Sequence, residues 1–225
     1  MFKVLNFRLK IFFTKLSKGE YSSEYVNLFK NNDLRSPHVP CIKDEFIFHI
    51  LMFLKKTKNV KILNTSENIQ FGNTPFFLKY DEIFKLRGVP MCFNALKINN
   101  YNIKIIGYQD VLNESKIKSI YFFVNNIFIL GEYSFAENSI TESIDISKIL
   151  IKKYITESID DIEEFYIEDS NKNCIYFKDN GFERSVKYFN YVNDDSRKIY
   201  NELKDLMLPS ITSNDEIKSK LNELF

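Results

Sequence analysis

The only two histidines of the chain, His38 and His49, flank Cys41 within twelve residues. Imidazole and thiolate are good zinc ligands, and Asp44 or Glu45 could complete a tetrahedral set. The spacing H-x2-C-x7-H nevertheless matches no paired-ligand zinc pattern, and His49 sits inside the apolar run 46–54. A core histidine bonded to backbone accounts for it equally well, so neither a metal nor a cofactor is expected. A Cys41–His nucleophilic pair lacks any visible oxyanion device. Phosphate-loop, dinucleotide, zinc-protease, hydrolase and kinase signatures are all missing. The sequence therefore favours binding over catalysis.

A second cluster is acidic. Glu157, Asp160, Asp161, Glu163, Glu164, Glu168 and Asp169 follow one another without an intervening base. On an extended strand Glu164, Tyr166 and Glu168 share one face, while Phe165 and Ile167 share the other. This region is the expected docking surface for a basic protein partner, because complementary charge speeds association. The bland alternative is a solvated edge strand kept soluble by its charge. Asp169, Asn171 and Asn173 resemble the start of a calcium loop, but Cys174 occupies the position that needs glycine.

A third feature is basic and amphipathic. Residues 1–19 contain Lys3, Arg8, Lys10, Lys15 and Lys18 and no acid, leaving 26 bases against 30 acids in the rest. Phe2, Leu5, Leu9, Phe12 and Leu16 recur at alternating three- and four-residue spacing, which predicts a helix closed by Gly19. Such a helix either packs on the domain or lies on an anionic membrane surface. Packing is the more common fate, so the membrane surface stands as an alternative function. A third alternative is a small-molecule enzyme. Tyr101, Tyr108, Tyr121 and Tyr133 could line a ligand groove beside Gln109 and Asp110, although at strand spacing tyrosines more often pack.

The elements that must position these groups are legible from periodicity. Two apolar runs flank Asn125-Asn126, and Asn tolerates the positive φ of a two-residue hairpin turn. Strands 120–124 and 127–135 follow, with Val124 opposite Ile127, Phe123 opposite Phe128, Phe122 opposite Ile129 and Tyr121 opposite Leu130. Both faces of this hairpin are apolar, so it must be central in a sheet and covered on each side. A hairpin over 92–98 and 101–111 precedes it. A meander over 163–167, 174–178 and 183–191 follows, its last turn placed at Asn180-Gly181. That turn sets Ile175 across from Val186 and Lys178 across from Glu183. Short strands are expected at 60–63 and 68–71, and helices at 44–56, 77–87, 144–154, 195–207 and 216–225.

The expected fold class is therefore α+β: an antiparallel meander sheet of about seven strands with packed helices. The order hints at an approximate duplication of a helix followed by a meander. One domain over 1–225 is expected, with a mostly helical part at 1–75, the sheet core at 76–192 and C-terminal helices at 193–225. With 44% hydrophobic and 27% charged residues in 225, the composition is that of a globular protein. The net charge of +1, with its bases scattered beyond the N-terminus, argues against nucleic acid as a partner. Three widely spaced cysteines suggest no disulfide and a reducing, cytoplasmic setting. A protein partner or a homodimer is the expected assembly.

Overall fold

The computed structural model describes residues 2–32, 34–42, 60–98, 100–112, 115–135, 146–155, 162–179, 184–191 and 196–203, the side chains of 2–5, 112 and 115 excepted. Expected helices at 44–56 and 216–225 and the Asn180-Gly181 turn lie outside these residues. The Asn125-Asn126 turn forms as its sequence requires, with φ of 49° and 71°. It joins β4 (Ser115–Val124) to β5 (Ile127–Phe135). Before them come β1 (Lys61–Asn64), β2 (Cys92–Ile98) and β3 (Tyr101–Leu112); after them come β6 (Glu164–Glu168), β7 (Cys174–Asp179) and β8 (Arg184–Phe189). All eight form one sheet in the order β1-β6-β7-β8-β5-β4-β3-β2, with the hairpin in the interior.

The fold class is α+β, but the sheet is mixed and has eight strands, not an antiparallel seven. The exception is β1, which runs parallel to β6 with Lys61 beside Phe165. No hairpin ties these two strands, so turn geometry places no constraint on their direction. The segment 68–71, expected as a strand, makes only one bridge, from Phe71 to Thr74.

Helices α1 (Phe2–Lys18), α2 (Ser23–Lys30), α3 (Tyr80–Arg87) and α4 (Ile146–Tyr154) precede a helical stretch over 196–203. Residues from α2, α3 and α4 bury one sheet face in a core containing Phe123, Phe128, Phe165 and Phe177. Ile199, Tyr200 and Leu203 cover the other, packing with Phe122, Ile129 and Leu130. Both faces of the central hairpin are thus enclosed.

Its register departs from expectation at one point. Val124 pairs with Ile127 and Phe123 with Phe128, but a bulge follows and Phe122 pairs with Leu130. Ile129 is the extra residue, and a one-residue slip changes faces. Leu130 joins Phe122 on the second face, while Gly131 arrives on the first. The reason is Phe71: a Cβ on Gly131 would lie 2.3 Å from its ring, so only glycine leaves room for that buried side chain. In the second meander Ile175 pairs with Tyr188 and Phe177 with Val186, while Asp179 pairs with Arg184. Four residues therefore separate the two strands instead of two. A slip of two keeps every side chain on its expected face.

The expectation of no disulfide is overturned. Cys41 and Cys92, separated by 51 positions, form one with a Cα–Cα distance of 4.9 Å. No CxxC spacing announces it, because the partners meet only once the 38–42 segment is folded onto β2. Phe93 N donates to Val39 O, and the buried Asn94 side chain accepts from Cys41 N at 2.7 Å and Ile42 N at 3.2 Å. Its amide donates in turn to Ile42 O. Gly107 lies directly opposite Cys92, where a Cβ would stand 2.4 Å from the Cys92 sulfur. Closing a loop of this length lowers the entropy of the unfolded chain enough to stabilise by about 4 kcal/mol. Cys174 is buried and takes no part in the disulfide.

Candidate functional site

The histidine–cysteine cluster does not assemble as a metal site in the described residues. His38 Nε2 donates to Glu20 O at 2.8 Å, and its ring stacks on Tyr21 with centroids 4.4 Å apart. Cys41 has its sulfur in the disulfide, and Asp44, Glu45 and His49 lie outside the described residues. Among the described residues no three His, Cys, Asp or Glu side chains could hold an ion.

The acidic strand is placed as β6, between β1 and β7, not at an edge. Tyr166, Glu168 and Asp169 are buried. The Asp169 carboxylate accepts from Ile69 N, Asn171 N, Asn173 N and the Asn173 amide, all at 2.9–3.0 Å. It ties the 67–69 segment to the β6–β7 turn. Glu168 pairs with Lys172 at 2.8 Å, and Glu164 accepts from the Tyr176 hydroxyl. Glu163 is exposed and Glu164 half-buried. Glu157, Asp160 and Asp161 lie outside the described residues. The alternation that put Phe165 and Ile167 on one face holds, but Tyr166 and Glu168 on the opposite face are also buried, and only Glu164 there is partly open to solvent.

The N-terminal helix is built differently. At 100° per residue Phe7, Ile11 and Thr14 fall on one side, and these are its half-buried positions. Phe7 meets Phe29 of α2 edge-on, with centroids 6.3 Å apart. Leu9, Phe12, Phe13 and Leu16 occupy an arc of about 100° on the opposite side, and all four are exposed. Arg8 and Lys15 border this arc on one flank and Lys10 on the other, all exposed. Lys15 donates to Glu20 at 2.6 Å, a hydrogen bond that raises its pKa. Lys3 belongs to the helix, but its side chain is outside those described. Ser22 caps α2 by accepting from Tyr25 N, and Gly19, at φ 82°, makes the break between the two helices.

A third site is concave. A cavity of about 550 Å³ opens between α3, α4 and the first sheet face. Tyr121, Tyr133, Tyr188, Phe135 and Val186 form its floor, Leu150 and Lys153 one wall, and Thr74 and Arg87 another. Leu86, Val111 and Ile149, all large and exposed, stand around it. Arg87 Nη2 donates to Asp110 at 2.6 Å and reaches Ser119 Oγ at 3.4 Å. Its guanidinium lies 4.9 Å from the Tyr108 ring and 5.9 Å from that of Tyr121. Burial works against the Arg87 charge, but Tyr121 and Asp110 outweigh it and the pKa rises. Burial also raises Tyr121 and Tyr133, and pushes Tyr108 up to about 12, so these hydroxyls stay protonated as donors at neutral pH.

No family model, curated protein or solved structure matches this chain. What it does must be read from these sites alone. Of the four tyrosines and two polar residues expected to line a groove, Tyr121, Tyr133 and Asp110 do so. Tyr108 lies beneath Arg87 and donates to Gly88 O, Gln109 is exposed, and Tyr101 packs against the second-face core. Arg87 and Lys153 escaped sequence reading because they sit on helices far apart in the chain. The only local signal was that each lies in the last turn of its helix.

Proposed function

We propose that this protein is a peripheral membrane-surface protein that docks on anionic bilayers through α1. The observation that carries the reading is the exposure of Leu9, Phe12, Phe13 and Leu16, from 45% to 69%, on the side of α1 away from α2. The domain has used the Phe7–Ile11 side of this helix and left the longer apolar side facing solvent. Exposed aromatic and leucine side chains in a continuous line are costly unless something covers them. The basic residues on both flanks, with no acid among residues 1–19, select an anionic surface as that cover. A helix of this kind lies in the interfacial plane with its apolar face about 5–10 Å deep. Each flanking lysine or arginine near such a surface adds about 1 kcal/mol. No helix among the described residues is long and apolar enough to cross a membrane, so α1 would lie on the bilayer and not through it.

The docking of a basic protein on the acidic strand has less support, because Tyr166, Glu168 and Asp169 are enclosed. The test is co-sedimentation with vesicles of phosphatidylcholine alone and with 30% phosphatidylserine, at low and high salt. Binding to the anionic vesicles should fall with salt and drop at least tenfold in Phe12→Ser/Leu16→Ser. Absence of binding, or a concentration-dependent dimer abolished by the same double substitution, would overturn the membrane reading in favour of α1 as an interface between copies.

A further inference from the structure

We propose that the cavity between α3 and α4 binds one amphipathic monoanion, an aliphatic or aryl carboxylate whose apolar body lies on the tyrosine floor. This goes beyond the membrane reading and stands on different residues. The size suits a ligand of this class, since small-molecule sites run from about 300 to 1,000 Å³, and this cavity holds about 550 Å³. Its lining is mostly apolar and aromatic, through Phe135, Leu150, Val186 and Ile146. Exposed Leu86, Val111 and Ile149 extend that apolar lining to the rim, where a soluble protein ordinarily places polar side chains.

The polar groups fix the sign of the ligand. Arg87 and Lys153 carry two positive charges and Asp110 one negative, leaving a surplus of one positive charge in the lining. Arg87 meets Asp110 and Ser119 through Nη2 alone, and among the described residues its Nε and Nη1 make no hydrogen bond. Both two-donor edges of a guanidinium include the occupied Nη2, so Nε and Nη1 each offer a carboxylate a single charge-assisted hydrogen bond. Asp110 and the Tyr108 ring hold the guanidinium in place before any ligand arrives, so little side-chain freedom is lost on binding. The neighbouring Tyr121 and Tyr133 hydroxyls, kept protonated, are further donors for the same head group. One surplus charge and a greasy body exclude a nucleotide or a sugar phosphate as a good fit. A monocarboxylate is what remains.

The experiment titrates the full chain with dodecanoate, dodecanol and dodecylamine by calorimetry, below the micellar concentration of each. Dodecanoate should bind in a one-to-one ratio and at least tenfold tighter than dodecylamine. Ile149→Trp reaches into the cavity from a half-exposed position and should weaken dodecanoate at least tenfold with an unchanged circular dichroism spectrum. Lys153→Glu should narrow the preference for dodecanoate over dodecylamine. Phe12→Ser/Leu16→Ser should leave binding unchanged, which separates the cavity from the exposed stripe of α1. If that double substitution removes the binding, or Ile149→Trp leaves it intact, the cavity is not the site. Equal or tighter binding of dodecylamine, or no saturable binding of any of the three, would also overturn the proposal.

Discussion

The β4–β5 hairpin and α1 are both apolar on two sides, and the fold treats them in opposite ways. The hairpin has each face buried, by α3 and Phe71 on one side and by 196–203 on the other. Helix α1 has one side on α2 and the other in solvent. A strand that is apolar on both faces has no soluble alternative to burial, because its backbone also requires partners on both edges. A helix satisfies its own backbone and can present a second apolar side at the cost of hydration alone. The difference teaches that two-sided hydrophobicity is a folding requirement in a strand and a binding surface in a helix.

Substitutions that uncover or crowd the hairpin should therefore act on stability, and those on the outer side of α1 should not. The largest effect is expected from Cys41→Ser/Cys92→Ser, which removes a cross-link in the same core as Ile120 and Phe122. It should cost about 4 kcal/mol by loop entropy, measured by urea unfolding under non-reducing conditions. Intact mass with thiol labelling should find one reactive cysteine in the unfolded wild type; three would remove the bond. Gly131→Val comes next, since its side chain meets the Phe71 ring, and should cost about 3 kcal/mol. An unchanged urea midpoint would mean that Phe71 swings aside freely. On α1 the two sides should diverge. Phe7→Ala should cost about 1 kcal/mol, as a half-buried aromatic contact does. Phe12→Ser/Leu16→Ser should stay within about 0.5 kcal/mol of wild type while vesicle binding collapses. A loss of stability equal to that of Phe7→Ala would show both sides of the helix to be structural.

Periodicity carried the strands a long way. The Asn125-Asn126 turn, the hairpin over 92–98 and 101–111, and the central position of β4 and β5 were all readable. What escaped it depended on partners distant in sequence. The bulge at Phe122 follows from Phe71, some fifty residues earlier, and the disulfide from the docking of 38–42 on β2. The extra pair of residues between β7 and β8 went unseen because Asn180-Gly181 reads as a two-residue turn whatever surrounds it. The burial of Asp169 was hidden for a related reason: charge looks like surface until a four-donor cage such as the one around it is built. In α1 the spacing of Leu9, Phe12 and Leu16 was plain, but not that the domain would take the Phe7 side instead.

The parallel pairing of β1 with β6 imposes an order in time. Lys61 waits for Phe165, more than a hundred positions later, and contacts this distant are slow to close. On a ribosome adding about 5–20 residues per second, the strand is without this sheet neighbour for roughly 5–20 seconds. During that interval β2 to β5 can fold as a meander of their own, each strand pairing with the one just made. Strand β1 is therefore among the last parts to be locked, secured when β6 arrives and Thr65 N finds Glu168 O.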